Sequence, residues 1–370
     1  MAADSSNDPS NQTSEPVPAP ARSGSLLVRL VAIGGLLAVI AGLFAYARGW
    51  LTPHALTPAA MVNTFERVDG PHPGFRRNHA KGVCVTGYFE SNGQGQAISK
   101  ALVFRPGRVP IVGRFALAGG QPYAADTPHT IRSLAILFKQ SDGEEWRTGM
   151  INIPVFVVNT PQDFHDFLVA SSPVPGTGKV DPAAMGAFLG KHPETAAALK
   201  VIGSHPFTSG FGDSPYYGLN AFRFVNANGQ STPVRWWIKP DQTFDGANAN
   251  ESDKNYLFDA LITQLHSGPL RWHLILTLGE PGDPTAEAAL SWPAERKQID
   301  VGTITIDTIE SEDTSPTRDI TFDPLVLPDG ISASDDPLLS ARSASYSTSF
   351  RRREGEPKSP SAVSTTEVGK

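Results

Sequence analysis

Two short segments of this chain hold side chains whose types and spacing can do chemistry. In "GFRRNHAKGVCVTG", His79 stands just before an apolar run, with Arg76 and Arg77 behind it and Lys81 ahead. Neighbouring cations disfavour a charged imidazole and so lower its pKa. A neutral imidazole near pH 7 is the form that a general base needs. In "ARSASYSTSFRRREG", Tyr346 follows Arg342 at the i, i+4 spacing. If that segment is helical, the guanidinium lies beside the phenol. A free phenol titrates near ~10, and a fixed guanidinium or a bound metal favours the phenolate. Phenolate oxygen is one of the known axial ligands of haem iron.

Other routes to chemistry close quickly. There is no P-loop, no G-x-G-x-x-G after a strand, no H-E-x-x-H and no G-x-S-x-G. The nine histidines show no pair with metal-ligand spacing. His72 falls in a Pro-Gly turn and reads as solvated, His205 in a Gly-rich loop as structural, and His165 on an amphipathic helix as a surface residue. The single cysteine, Cys84, excludes an internal disulfide and any Cys-based metal centre. It lies in an alternating apolar run and is expected to be a buried strand residue. A net charge of −6 and a pI of about 5.9 argue against broad nucleic-acid binding.

The elements that must position His79 and Tyr346 come next. Residues 1–25 are rich in Ser, Pro, Ala and Asn and are expected to be a disordered leader. Residues 26–50 follow as a membrane anchor or signal segment, uncharged from Leu30 to Ala47. Arg22 and Arg29 before it and Arg48 after it favour an N-inside orientation with the rest exported. Trp50 suits an uncleaved anchor, while "AYA" at Ala45 to Ala47 keeps cleavage open. A linker, "LTPHALTPAAMVNTFE", leads into the globular part.

Strand signals recur at short spacing in the first half. "KGVCVTGYF" reads as a strand. "KALVFRPGRVPIVGRFALAGG" reads as a strand pair around Pro-Gly, and "TIRSLAILFKQSDGEEWRTGMINIPVFVVN" as two strands around Ser-Asp-Gly. Helices follow in "TPQDFHDFLVASS" and on either side of His192-Pro193, then an Asn-Gly hairpin in "FRFVNANGQSTPVRWW", and a further helix in "DKNYLFDALITQLHSG". This pattern predicts an α+β protein built on an antiparallel barrel or sandwich.

Taken in order, "RRNHAKGVCVTGYFE", "VPIVGRFALAGG", "IPVFVVNTPQDFHDFL", "FRFVNANGQ", "LSWPAERKQIDVGTITI" and "ITFDPLVLPDGISASDDPLLSARSASY" resemble the haem catalases. The resemblance runs from about Asn63 to Arg353. The C-terminal helical domain of long catalases is lacking, so the chain is similar to the short branch, the catalase-related peroxidases. It implies a catalase-type antiparallel β-barrel with surrounding helices over residues 60–353, then a disordered tail at 354–370.

The resemblance also implies haem b (iron protoporphyrin IX) and a role for each matched residue. His79 is the distal base. Tyr346 is the proximal ligand of the iron and Arg342 its partner. Arg76, Arg114 and Arg353 hold the propionates, and Phe164 packs beside the porphyrin. Two positions depart from the family pattern. The asparagine expected three residues before Pro154 is Ile151, which leaves Asn152 as the nearest distal partner, and the serine expected two residues after Arg114 is Ala116. Both changes remove polar groups from around His79. The implied activity is therefore a peroxidase acting on hydrogen peroxide or an organic hydroperoxide with an organic electron donor, with weak or no catalase action. Haem storage or sensing without turnover, and rearrangement of fatty-acid hydroperoxides, are the alternatives. The catalytic part is expected to be exported and membrane-anchored, periplasmic in a bacterium.

Overall fold

The computed structural model describes residues 26–47, 56–244 and 253–366 of the 370-residue chain. The leader, Trp50 and Arg48 lie outside the described residues. Two units form. The first holds helix α1, Leu26–Ala47, whose described side chains are almost all exposed and apolar. It is long and apolar enough to cross a membrane, a test that a signal sequence also passes.

The second unit, residues 56–370, is built on an antiparallel sheet. Its strands are β1 (Gly82–Ser91), β2 (Gly107–Leu117), β3 (Arg132–Lys139), β4 (Glu145–Ile151), β5 (Tyr216–Tyr217), β6 (Phe222–Val225), β7 (Ser231–Pro240), β8 (Leu270–Leu278), β9 (Gln298–Glu310) and β10 (Ile331–Ala333). Their order is β10-β6-β7-β5-β4-β3-β2-β1-β9-β8, and β7 also pairs with β8. That pairing closes eight strands into a barrel and leaves β6 and β10 as a short flap beside it. Closure removes the exposed edges that an open sheet would carry.

Alternation along the strands fills the barrel. On β3, Leu134, Ile136 and Phe138 join the main core with Phe115, Trp146, Tyr216, Trp236 and Trp272. The intervening Ser133 and Ala135 point the other way, into a cavity. Both faces of β3 are therefore covered, and only Lys139 at its end is exposed.

The helices of this unit are α2 (Pro58–Asp69), α3 (Pro161–Ala170), α4 (Pro182–Lys191), α5 (Pro193–Gly203), α6 (Tyr256–Ser267) and α7 (Pro337–Glu354). Helices α2, α3 and α7 cover that second face, whereas α6 buries its apolar side in the main core. Four of the helices start on the same device: Thr57, Thr160, Asp181 and Asp336 cap with a side-chain oxygen, and proline follows. Helix α2 packs on both α3 and α7.

Three expectations are corrected. The second half of the anticipated linker is helix α2, because Thr57-Pro58 starts it and Met61 and Val62 bury. The anticipated strand pair around Pro106-Gly107 is one strand, β2, preceded by a single 3₁₀ turn at Leu102–Phe104 that buries Val103 and Phe104. The tail does not begin at Glu354. Glu356 pairs with Arg77, Lys358 with Asp319 at 2.5 Å, and Val363 is fully buried in the core.

Candidate functional site

The cavity lies between the outer face of the barrel and helices α2, α3 and α7. Its walls include His79, Arg76, Arg114, Phe164, Arg342, Tyr346 and Arg353. Seven of the eight residues singled out in the sequence thus line one space. The eighth, Asn152, does not. Its side chain accepts a hydrogen bond from the Arg132 backbone N–H at 2.8 Å, and its own N–H donates to the Arg132 carbonyl at 3.0 Å. Asn152 is committed to the end of the β3–β4 ladder, and Ile151 faces the cavity instead.

His79 sits in a loop held on both sides. Its φ is +56°, a left-handed conformation uncommon for a residue with a side chain. Asn78 Oδ1 accepts from the N–H groups of His79 and Gly119, both at 2.9 Å, and Arg114 Nη1 donates to the His79 carbonyl at 2.7 Å. Those bonds hold the strained residue in place. Burial, then the charges of Arg114, Arg342 and Arg76, push the imidazole down to about 4, against a smaller opposing pull from the Leu117 backbone. The neighbours that matter differ from those the sequence suggested. Arg77 turns to Glu66 and Glu356, and Lys81 turns to Asp126 at 2.6 Å. The His79 Nδ1 atom is buried without a hydrogen-bond partner among the described residues.

On the opposite wall, α7 carries Arg342 and Tyr346 one turn apart, with the guanidinium carbon 5.9 Å from the phenol ring centre. Arg342 Nη1 donates to Asn220 Oδ1, and Asn220 Nδ2 donates to Asp336 Oδ2 at 2.7 Å. Asp336 also caps α7 through the Leu338 N–H at 2.9 Å. A chain of polar contacts thus runs from the helix cap through Asn220 to the arginine beside the tyrosine. Gly149 makes room for it. A Cβ there would lie 3.3 Å from Arg342 Nη2 and 3.7 Å from the Tyr346 oxygen.

The third wall is basic. Arg114 and Arg76 both donate to Glu312, at 2.8 and 3.1 Å. Arg353 is 6% exposed, makes no ion pair among the described residues, and stacks 5.3 Å from the Phe350 ring centre. Burial and the like charges of Arg114 and Arg353 push Arg76 down, and burial with Arg114 pushes Arg353 down to about 10. Guanidinium keeps its proton regardless. These shifts therefore report a buried positive field with one carboxylate to answer it. The α2 and α3 side of the cavity is apolar: Met61, Val62, Phe65, Phe156, Pro161 and Phe164, with Phe156 and Phe164 centred 5.1 Å apart.

The three other histidines weighed in the sequence have local partners. His72 Nε2 meets the Asp69 carbonyl, His165 meets Asp166, and His205 meets the Tyr217 hydroxyl at 3.2 Å. Cys84 is buried on β1, and burial with Glu312 raises its thiol to about 11.

A closed antiparallel barrel with a tyrosine–arginine helix on one side of an apolar cavity and a strained histidine on the other is the architecture of a catalase. Comparison with known proteins agrees. The catalase family model matches residues 51–359. A catalase-related peroxidase from Synechococcus elongatus is 34% identical over 301 residues, covering 80% of this chain and 89% of that protein. Another from Mycolicibacterium paratuberculosis is 29% identical, covering 81% and 96%. Pig catalase is 28% identical, but this chain spans only 56% of its length. Among solved structures, a fungal catalase superposes with a TM-score of 0.69 at 21% identity, covering 84% of this chain and 66% of that one, and so bears on the fold alone. The chain belongs to the catalase family, on the branch of the shorter catalase-related peroxidases.

The family implies a haem, and the cavity's chemistry fits one. An apolar slot suits a porphyrin. A phenol backed by a guanidinium suits ferric iron. Arg76 and Arg114, which share Glu312, and the buried Arg353 suit two propionates.

Proposed function

We propose that this protein is a haem b peroxidase that reduces hydrogen peroxide or an organic hydroperoxide at the expense of an organic donor. The observation that supports it most is one cavity lined by a half-buried histidine among cations and by a guanidinium-backed tyrosine. Tyr346 would hold the iron, with the Arg342 guanidinium beside its ring. Arg76, Arg114 and Arg353 would hold the propionates, and Phe164 with Phe156 would flank the ring. The bound haem would supply the electron-transfer chemistry that no side chain here possesses.

The residues then account for the protons. His79, neutral because it lies half-buried among cations, takes a proton from one peroxide oxygen and returns it to the departing one. The donor gives up two electrons and two protons, so one peroxide and one donor yield two waters, or water and an alcohol, and the oxidised donor. Catalase action instead requires a second peroxide to be held as the reductant. Ile151 and Ala116 offer that second molecule no polar side chain. The apolar lining of Met61, Val62 and Phe65 favours an organic donor.

Helix α1 would tether the catalytic unit to a membrane, with that unit exported. The test is His79→Ala in the haem-loaded protein. Donor-dependent peroxide consumption should fall by about 10²–10⁴-fold while haem content is kept. Rapid oxygen release from peroxide alone, unaffected by donors, would overturn the peroxidase assignment. Undiminished consumption in the variant would overturn the role of His79.

A further inference from the structure

One row across the barrel wall crosses three strands. Ala116 on β2 pairs with Ser133 on β3, and Ser133 pairs with Ile151 on β4. The flanking members are the two positions where this chain departs from the catalase pattern. A hydroxyl is lost at 116 and an amide at 151. The residue between them carries a hydroxyl.

Ser133 is 7% exposed and lines the cavity with His79 and Ile151. The parallel row two residues along the strands, Arg114–Ala135–Gly149, abuts Arg342 and Tyr346 through Gly149. Two residues of strand span about 7 Å. Ser133 thus lies one strand repeat away from the row that abuts the tyrosine, in the cavity that His79 also lines. The amide nearest His79, Asn78, spends its carbonyl oxygen on the loop. Ser133 Oγ donates to the Ala116 carbonyl at 3.2 Å. That is long for a hydroxyl donor, whose usual distance is about 2.7–2.8 Å, so the proton is readily redirected.

We propose that Ser133 is the distal hydrogen-bond donor of the peroxide site, its Oγ–H turning from the Ala116 carbonyl to the peroxide oxygen opposite His79. It replaces from the middle strand what an asparagine at 151 would supply from the next. A hydroxyl has one proton where an amide has two, so Ser133 serves one bound oxygen at a time. This rests on the peroxidase reading above.

The test uses the haem-loaded full chain and azide as a probe anion for the ferric site. In Ser133→Ala, azide affinity and the second-order rate of peroxide consumption should each fall roughly tenfold, with haem content and melting temperature unchanged. Ser133→Thr should keep both values, and the double variant Ser133→Ala, Ile151→Asn should regain them. Unchanged azide affinity in Ser133→Ala would overturn the proposal. So would a loss that Ser133→Thr shares together with lowered haem content, since that marks packing alone. The azide titration needs no turnover. A Ser133 failure is therefore separable from failure of the peroxidase reading, which the His79→Ala assay decides.

Discussion

Glu312 and Arg114 form a two-point ion pair beneath the cavity, with Nε to Oε1 at 2.8 Å and Nη2 to Oε2 at 3.0 Å. Arg114 also reaches the carbonyls of His79 and Ala80, at 2.7 and 3.0 Å. One guanidinium therefore joins the basic wall to the histidine loop. It crosses β1 at Gly82, where a Cβ would lie 2.5 Å from the guanidinium carbon.

Replacing that carboxylate should be costly. Burial alone would raise the Glu312 carboxyl, but Arg114, its hydrogen bond and Arg76 outweigh burial and hold it below the usual range. Glu312→Gln should destabilise the haem-free protein at pH 7 by about 3–5 kcal/mol, the cost of breaking a buried pair. A carboxyl with a depressed folded pKa contributes above its unfolded pKa, and that contribution fades as pH falls through the folded value. Urea unfolding at neutral and strongly acid pH checks this. A gap between variant and parent that does not shrink in acid would contradict it.

His79 is likewise held below its normal value. With the folded imidazole near 4 and a free one near 6.5, the unfolded chain binds more protons between those values. The haem-free protein should therefore lose stability as pH falls through that window, and His79→Gln should flatten the loss. Peroxide consumption should hold nearly level from pH 7 down to about pH 5 and drop below it. A midpoint near 6.5 in the rate profile would show an ordinary, unburied base.

The Asp336–Asn220–Arg342 chain should tune the tyrosine from a distance. Asn220→Ala leaves Arg342 without its side-chain acceptor and Asp336 without its amide donor. We expect about 1–3 kcal/mol of lost stability and a shifted absorption spectrum of the haem-loaded protein. Tyr346→Phe should go further and remove the phenolate ligand itself. An unchanged spectrum in both variants would place the iron elsewhere.

Cys84 supplies a simple probe of folding. Its thiol is buried and held up at about 11, so thiol reagents should not modify it at pH 8 until the barrel opens. Modification rates that follow unfolding, measured in rising urea, check this. Fast labelling of the folded protein would refute it.

Much of this was legible in residue order. The capped helices, the Asn-Gly hairpin between β6 and β7 and the break at His192-Pro193 are local chemistry: side-chain oxygens, proline and turn geometry act within a few residues. Arg342 and Tyr346 share a helix, so their spacing alone carried their proximity. The apolar run of α1 likewise declares itself by composition.

What the tertiary structure decided are the contacts across long stretches of chain. Glu312, Asn220 and Ser133 have no local signal. Each acquires meaning only when strand register and barrel closure bring it to Arg114, Arg342 or Ile151. The fate of Asn152 turned on the same physics. Side chains alternate along a strand, so a position one residue from a cavity-facing one points away from the cavity. Ile151 therefore faces the cavity and Asn152 the ladder. The end of the chain was misjudged for a related reason: a Ser- and Pro-rich stretch looks free until a long-range ion pair to Arg77 and a pocket for Val363 hold it down. Composition reports what a segment prefers alone, and packing reports what the rest of the chain does with it.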